Sequence, residues 1–321
     1  MRISILALDG LFDTGLTVTL DAFSAANKLS TKLLGGTPWF DVCVVGVRRK
    51  VNSNHGLAIP VRAISSAPKP DWAIVPALST TTADELLASL QRADVIDARA
   101  QLLKWHAQGV RIGASCLGTF LVAETGLLDE RDATSNWSLA PLFRQRYPQV
   151  RLDESRMLVP TDIGVTAGAA LGHLDLALWL IRTVSPELAS LVSRYLLADI
   201  RSSQAPYIIP NHLAQADPLI KRFEQWAREH LKAGFSLQDA ARALATSTRS
   251  LQRRCQEVLG KSPLAYFQDL RVERAQALLH GSGLDLEAIA AEVGYVDGAT
   301  LRALLRQRLG RGVRDLRADL R

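Results

Sequence analysis

The sequence predicts two domains of different class: a doubly wound α/β domain over residues 1–190 and an all-helical domain over 218–321, joined by a connection at 191–217. Three observations carry this division. Short β-branched and aliphatic runs alternate with helical periodicity through the first two-thirds of the chain, the pattern of crossover units and a mostly parallel sheet. Beyond the polar, proline-punctuated stretch at 201–218 the strand signal disappears, and short helices rich in Ala, Leu, Arg and Gln follow one another. Charge divides there too: residues 215–321 hold 18 Lys and Arg against 13 Asp and Glu, while the first 214 hold 20 against 19.

The elements follow in order. Residues 2–8 form the first strand candidate and end at Asp9-Gly10, a turn signal. Residues 16–27 have helical spacing, with Leu16, Leu20, Phe23 and Ala26 on one face. Further strands are expected at 40–47, 72–76 and 110–114, with helices at 83–90 and 95–108 between the last two. Residues 168–184 read as a closing helix, apolar on most faces, as burial against a sheet requires.

Composition narrows the class. At 48% apolar and 22% charged residues the chain can bury real cores, which excludes a disordered protein. No apolar run approaches the ~18 residues of a membrane helix, and Asp9 cuts the N-terminal apolar stretch too short for a signal peptide. Three scattered cysteines argue against a disulfide framework and for a reducing compartment. A cytoplasmic protein with no membrane partner is expected. His55, His106, His173, His212, His230 and His280 show no paired ligand spacing, so neither a metal nor a cofactor is expected.

The last third contains a duplication. Residues 236–244 form a short amphipathic helix with the alanine pair Ala240-Ala241, followed by a polar turn and a second helix, 248–259, closed by Gly260. Residues 286–294 repeat the pattern with Ala290-Ala291, then Tyr295-Val296-Asp297 and a helix ending near Leu309, closed by Gly310. Small residues let two helices approach steeply, as a helix-turn-helix demands. In the second helices Arg249, Gln252 and Arg253, and in the other copy Thr300, Arg302 and Arg306, are the candidates to reach base edges or phosphates of double-stranded promoter DNA.

Two resemblances follow from these residues. Ser247-x-Arg249-x-Leu251-x-Arg253, Gly260-Lys261-Ser262-Pro263-x-x-Tyr266, Leu270-Arg271-x-Glu273-Arg274-Ala275 and Ile289-Ala290-x-x-Val293-Gly294-Tyr295-x-Asp297 resemble the AraC/XylS family of transcription regulators. The resemblance implies two helix-turn-helix subdomains joined by a linker helix at 263–279, entering successive major grooves about one helical turn apart. The second copy departs from the family, with Ala303 where Arg is usual, and the first has Cys255 where Phe is usual. A grip resting more on the first reader helix is therefore expected.

In the first domain, residues 110–119 read as a strand, a sharp turn at Cys116 and a helix start, a geometry in which the helix dipole favours thiolate. The alternative reading is a buried structural cysteine. The stretches Ala114-Ser115-Cys116-x-Gly118, Gly126-Leu127-Leu128-Asp129, Ala133-Thr134-x-x-Trp137 and Thr166-Ala167-Gly168, with Gln204-Ala205-Pro206, resemble the PfpI-like, class I glutamine amidotransferase-like superfamily. Its domains are flavodoxin-like doubly wound sheets. The whole chain is similar to GlxA-type regulators, which fuse such a domain to an AraC-type reader. Catalytic relatives pair the cysteine with His and an acid. Here Leu117 follows Cys116, Asn136 stands where many relatives keep His, and the chain reads Thr14-Gly15 where the acid is expected. No catalytic residue is therefore assigned. Cys116, Asn136, Trp137 and Asp21 are the candidate ligand-binding residues. The resemblance implies a homodimeric regulator responding to a small-molecule effector, amino-acid-like or nitrogenous, with an RNA polymerase contact. The competing reading is a cysteine-dependent amidase or deglycase-like enzyme with a helical appendage.

Overall fold

The computed structural model describes all residues except 34–35, 81, 200, 202, 215–216, 310–311 and 319–321. Gly310, expected to close the second reader helix, and Ser202 of the connection lie outside the described residues. By their contacts the residues fall into two units, Met1–Trp137 with Tyr147–Gln204, and Ser138–Arg146 with Ala205–Arg321.

The first unit opens with β1 (Arg2–Ala7), α1 (Asp13–Leu33) and β2 (Asp41–Gly46). Three two-residue strands follow, β3 (Val51–Asn52), β4 (Ala58–Ile59) and β5 (Arg62–Ala63), then β6 (Trp72–Val75), α2 (Ala83–Leu90), α3 (Ala93–Ala107) and β7 (Arg111–Ser115). Next come α4 (Gly118–Ala123) and β8 (Asp132–Ala133), and, assigned to the second unit, α5 (Ala140–Arg146). β9 (Arg151–Leu152), β10 (Leu158–Pro160), β11 (Gly164–Ala167), α6 (Gly172–Val184) and α7 (Pro186–Tyr195) complete the unit. The four strands expected from sequence are β1, β2, β6 and β7. Of the other strands, all but β11 carry only two or three residues, too few to show a period.

Seven strands form one sheet in the order β10-β11-β7-β6-β1-β2-β5. Every pairing is parallel except β10 with β11. Ile3, Ile5, Phe23, Ile74, Leu176 and Ile181 pack in its core. The chain runs outward from β1 to β2 and later returns to β6 on the other side, so the strand order reverses between β1 and β6. Open α/β sheets bind ligands outside the carboxyl ends of strands at such a switch point. The closing helix starts at Gly172, not 168, because Ala169 takes a left-handed conformation (φ 54°) and the preceding residues form a turn.

The second unit continues with α8 (Pro210–Ala214), α9 (Pro218–Glu229), α10 (Leu237–Ala243), α11 (Thr248–Leu259), α12 (Pro263–Gly281), α13 (Leu286–Glu292), α14 (Gly298–Leu309) and α15 (Val313–Ala318). The sequence places the starts by chemistry. Asp217, Ser236, Ser247, Ser262 and Asp285 each accept a backbone N–H at an N-cap, and Pro218 and Pro263 occupy the first turn, where a missing N–H costs nothing. α12 packs against α8, α9 and α11 on one side and α13, α14 and α15 on the other. It therefore buries residues on more than one face, including Tyr266, Phe267, Arg271 and Ala275. No helix among the described residues is long and apolar enough to cross a membrane.

Candidate functional site

The two helix pairs match by position. α10 and α13 are each seven residues long, and α11 and α14 are each twelve. In α11, Leu251, Cys255, Val258 and Leu259 are buried, which turns Arg249, Gln252, Arg253 and Gln256 to solvent as one stripe. Burial pushes the Cys255 thiol up to about 12, so it packs as a small apolar group where an aromatic is usual. In α14, Leu301, Leu305 and Leu309 are buried, and the equivalent exposed stripe is Ala299, Arg302, Ala303 and Arg306. Arg249, Arg302 and Arg306 have no hydrogen-bond or ion-pair partner among the described residues, whereas Arg253 reaches Glu257 at 2.9 Å.

Thr300 differs from the sequence expectation. It matches Ser250, not a residue of the reading stripe. Its backbone N–H donates to Asp297 Oδ1 at 2.6 Å, and its hydroxyl also bonds that carboxylate. Its place in the second helix made it a reader candidate, but it is the residue that the Asp297 cap holds. Gln256, on the first stripe, is the candidate that sequence reading passed over. The one-turn spacing from Gln252 was the available signal.

The helix starts also differ in charge. Ser247 caps α11 through Ser250 N–H at 3.0 Å. At α14, Asp297 caps Thr300 and Glu287 Oε2 accepts the Gly298 N–H at 2.8 Å. The Thr300 backbone and hydroxyl bonds hold the Asp297 carboxyl below its usual range, so the mouth of α14 carries two carboxylates.

In the α/β unit, Cys116 sits between β7 and α4 with φ 56°, a left-handed conformation that costs an L-residue about 1–2 kcal/mol. Its surroundings hold it there. Cys116 N–H donates to Ala167 O at 2.8 Å, and Ser135 Oγ donates to Cys116 O at 2.8 Å. A Cβ at Gly118 would overlap the carbonyls of Val75 and Pro76, so glycine lets α4 approach the end of β6. The turn is the sharp one expected, but the thiolate is not. Burial pushes the Cys116 thiol up to about 12, against weaker help from the Leu117 backbone and the Asn136 side chain. Desolvation outweighs the dipole of a six-residue helix.

Of the ligand candidates, Asn136 hydrogen-bonds Cys116 and Trp137 follows it, half-buried. Asp21 is not brought to them. It lies on the exposed side of α1 and lines a groove with Ser24, Asn27, Lys28, Phe40 and Asp41. Around the elbow, Ser115 Oγ and Thr119 Oγ1 are buried without a partner among the described residues.

The structure also explains the missing acid at Gly15. A Cβ there would overlap the His173 imidazole. His173 is wholly buried. Its Nε2 accepts the Ala77 N–H at 3.1 Å, and Nδ1 donates to Ala170 O at 2.6 Å. Burial lowers it to about 4, so the ring is neutral with both nitrogens occupied, and it cannot serve as a base. Two residues before Gly15, Asp13 accepts from His55 Nδ1 at 2.8 Å. Burial works to raise this carboxyl, but bonds from Ser53 and His55 outweigh it and hold it ionised. Asp13 was not singled out from sequence, because its partners lie some forty residues away. Among the described residues no group of three or more His, Cys, Asp and Glu is placed to hold a metal.

Residues 240–319 match the family model for a helix-turn-helix domain, a span that includes both reader helices. These residues form a helix-turn-helix domain of that family. Over 320 residues the chain is 27% identical to the HTH-type transcriptional regulator GbdR of Pseudomonas aeruginosa, covering 98% of this chain and 83% of that protein. It is 28% identical over 212 residues to the HTH-type transcriptional regulator GlxA of Rhizobium meliloti, covering 63% and 64%. A solved protein from Vibrio parahaemolyticus, assigned as a transcriptional regulator, superposes with a TM-score of 0.52 at 19% identity, over 61% of this chain and 98% of its own. The unit preceding it has a doubly wound α/β fold, as its strand order describes, and the Vibrio parahaemolyticus protein shares that fold.

Proposed function

We infer that the chain is a DNA-binding transcription regulator in which residues 1–190 sense a small molecule, 191–217 connect, and 218–321 bind double-stranded promoter DNA. The observation that carries this reading is the repeated helix pair with its two matched, solvent-facing stripes. Arg249, Gln252, Arg253 and Gln256 form one stripe, and Arg302 and Arg306 supply the charge of the other. Arg249, Arg302 and Arg306, without protein partners among the described residues, suit guanine edges and phosphates, while Arg253 would have to exchange its Glu257 bond for one to DNA. Selection from a random duplex pool by the full chain tests it. The expected product is a bipartite site with its halves about one helical turn apart. No enrichment over an Arg249→Ala, Arg253→Ala variant would overturn it.

The sensing site proposed is the elbow at the carboxyl end of β7, where Asn136 bonds Cys116, Trp137 follows Asn136, and the buried Ser115 and Thr119 oxygens lack partners among the described residues. Buried polar atoms of this kind call for a ligand or water. A small amino-acid-like or nitrogenous effector, a homodimer, an RNA polymerase contact and action in the cytoplasm complete the proposal. The reading as an amidase or deglycase is disfavoured by a protonated Cys116, an amide at Asn136 and a His173 with no free lone pair. Alkylation by iodoacetamide at pH 7.5 checks this: Cys116 should react far more slowly than an unperturbed thiol. Rapid modification blocking turnover of an amide or glycated substrate would restore the enzyme reading.

A further inference from the structure

Gln204 is the last residue of the first unit, and Ala205 begins the longer of the two segments of the second, Ala205–Arg321. Although it lies in a polar connection, its side chain is wholly buried in the α/β unit. Nε2 faces three acceptors, Ser135 O at 3.0 Å, Thr134 Oγ1 at 3.1 Å and Arg156 O at 3.2 Å. The backbone is tied too, with Gln204 N–H and Ser203 Oγ both donating to Ser155 O, at 2.8 and 2.7 Å. Gly168 makes room for the amide, since a Cβ there would overlap it.

These partners border the elbow by two routes. Ser135 receives Gln204 on its carbonyl and gives its own hydroxyl to Cys116 O. Gly168 follows Ala167, whose carbonyl takes the Cys116 N–H. Meanwhile Gln204 Oε1 is buried without a partner among the described residues. An unmet acceptor weakens the inserted state, which brings inserted and released states within reach of a ligand's binding energy.

We propose that Gln204 is the positioning residue through which the state of the Cys116 elbow reaches the DNA-binding domain. A ligand that shifts Ser135 or Ala167 changes how firmly Gln204 is held, and so where the chain leading into the second unit starts. The proposal rests on the reading of the elbow as a sensing site.

The test is a double-mutant cycle in the full chain, read as affinity for the duplex selected by the wild type. Ser135→Ala removes the hydroxyl bond to the elbow. It should change affinity by about threefold or more in the wild-type background and by less than about 1.5-fold beside Gln204→Ala. Ser135→Ala should also speed hydrogen exchange of the Gln204 amide by about tenfold or more, leaving β1 amides unchanged. Equal shifts in both backgrounds, or an unaltered Gln204 amide, would overturn the proposal. Should Gln204→Ala fail to fold, Gln204→Asn, which keeps the amide but falls one methylene short, replaces it. A wild-type chain that enriches no duplex defeats the regulator reading instead, and exchange at Gln204 and along α9 still decides the relay.

Discussion

The two helix-turn-helix copies share lengths and core positions but differ at the turn and at the reader's mouth. In the first turn a left-handed conformation falls on Ala245 (φ 51°), and in the second on Gly294 (φ 80°). Gly294 is tightly enclosed: a Cβ would overlap the Arg271 guanidinium and the carbonyls of Leu231 and Lys232. Arg271 itself donates to Leu231 O through Nε at 3.0 Å and Nη2 at 2.7 Å, and lies 4.8 Å from the Tyr295 ring centroid. The second turn is thus built into the joint with α12, while the first carries the fuller set of polar reading side chains and a neutral cap. One scaffold divides into a copy suited to gripping DNA and a copy suited to fixing the domain's geometry.

Seven substitutions, grouped in four tests, sharpen or break that contrast. Gly294→Ala has the largest expected effect, a loss of about 3 kcal/mol in chemical denaturation, because it combines overpacking with an unfavourable φ. A loss under about 1 kcal/mol would show that the joint is loose. Next, Arg249→Ala or Arg253→Ala should each cost about 1–3 kcal/mol of binding to the selected duplex, against less than about 1 kcal/mol for Arg302→Ala or Arg306→Ala. Equal costs would mean that both copies read alike. Asp297→Asn keeps the cap but removes a charge from the mouth of the reader helix. It should tighten binding about two- to fivefold in 50 mM salt, with the gain shrinking at 200 mM. Unchanged affinity would place the carboxylate away from the DNA. Ala245→Gly should raise stability by about 0.5 kcal/mol by relieving the left-handed alanine, less the entropy glycine adds to the unfolded chain. A decrease would mean that the methyl contributes packing there.

Much of this architecture is legible in the sequence because it is local. Helix starts show as Ser or Asp caps, reader stripes as one-turn spacing, and the elbow as a strand, a small-residue turn and a glycine. What escaped was set by distant contacts. The Cys116 thiol is fixed by burial rather than by its own helix. Thr300 is absorbed by Asp297, a bond that exposure does not reveal. Asp13 pairs with His55, Gly15 answers to His173, and Gln204 inserts beside Gly168, all across long sequence gaps. Asp21 stood among the ligand candidates, but it lines a groove with Phe40 and Asp41 at the start of β2 instead.

α12 spans 19 residues, about 28 Å of continuous helix, with one reader copy packed on each side. It acts as a fixed ruler for the genome that this protein surveys. A base substitution in one half-site weakens a single set of contacts and leaves the other intact. Inserting one base pair between the halves displaces one by ~3.4 Å and rotates it by roughly a tenth of a turn, and a rigid helix can follow neither change. Promoters under this regulator should therefore drift in letters far more readily than in spacing.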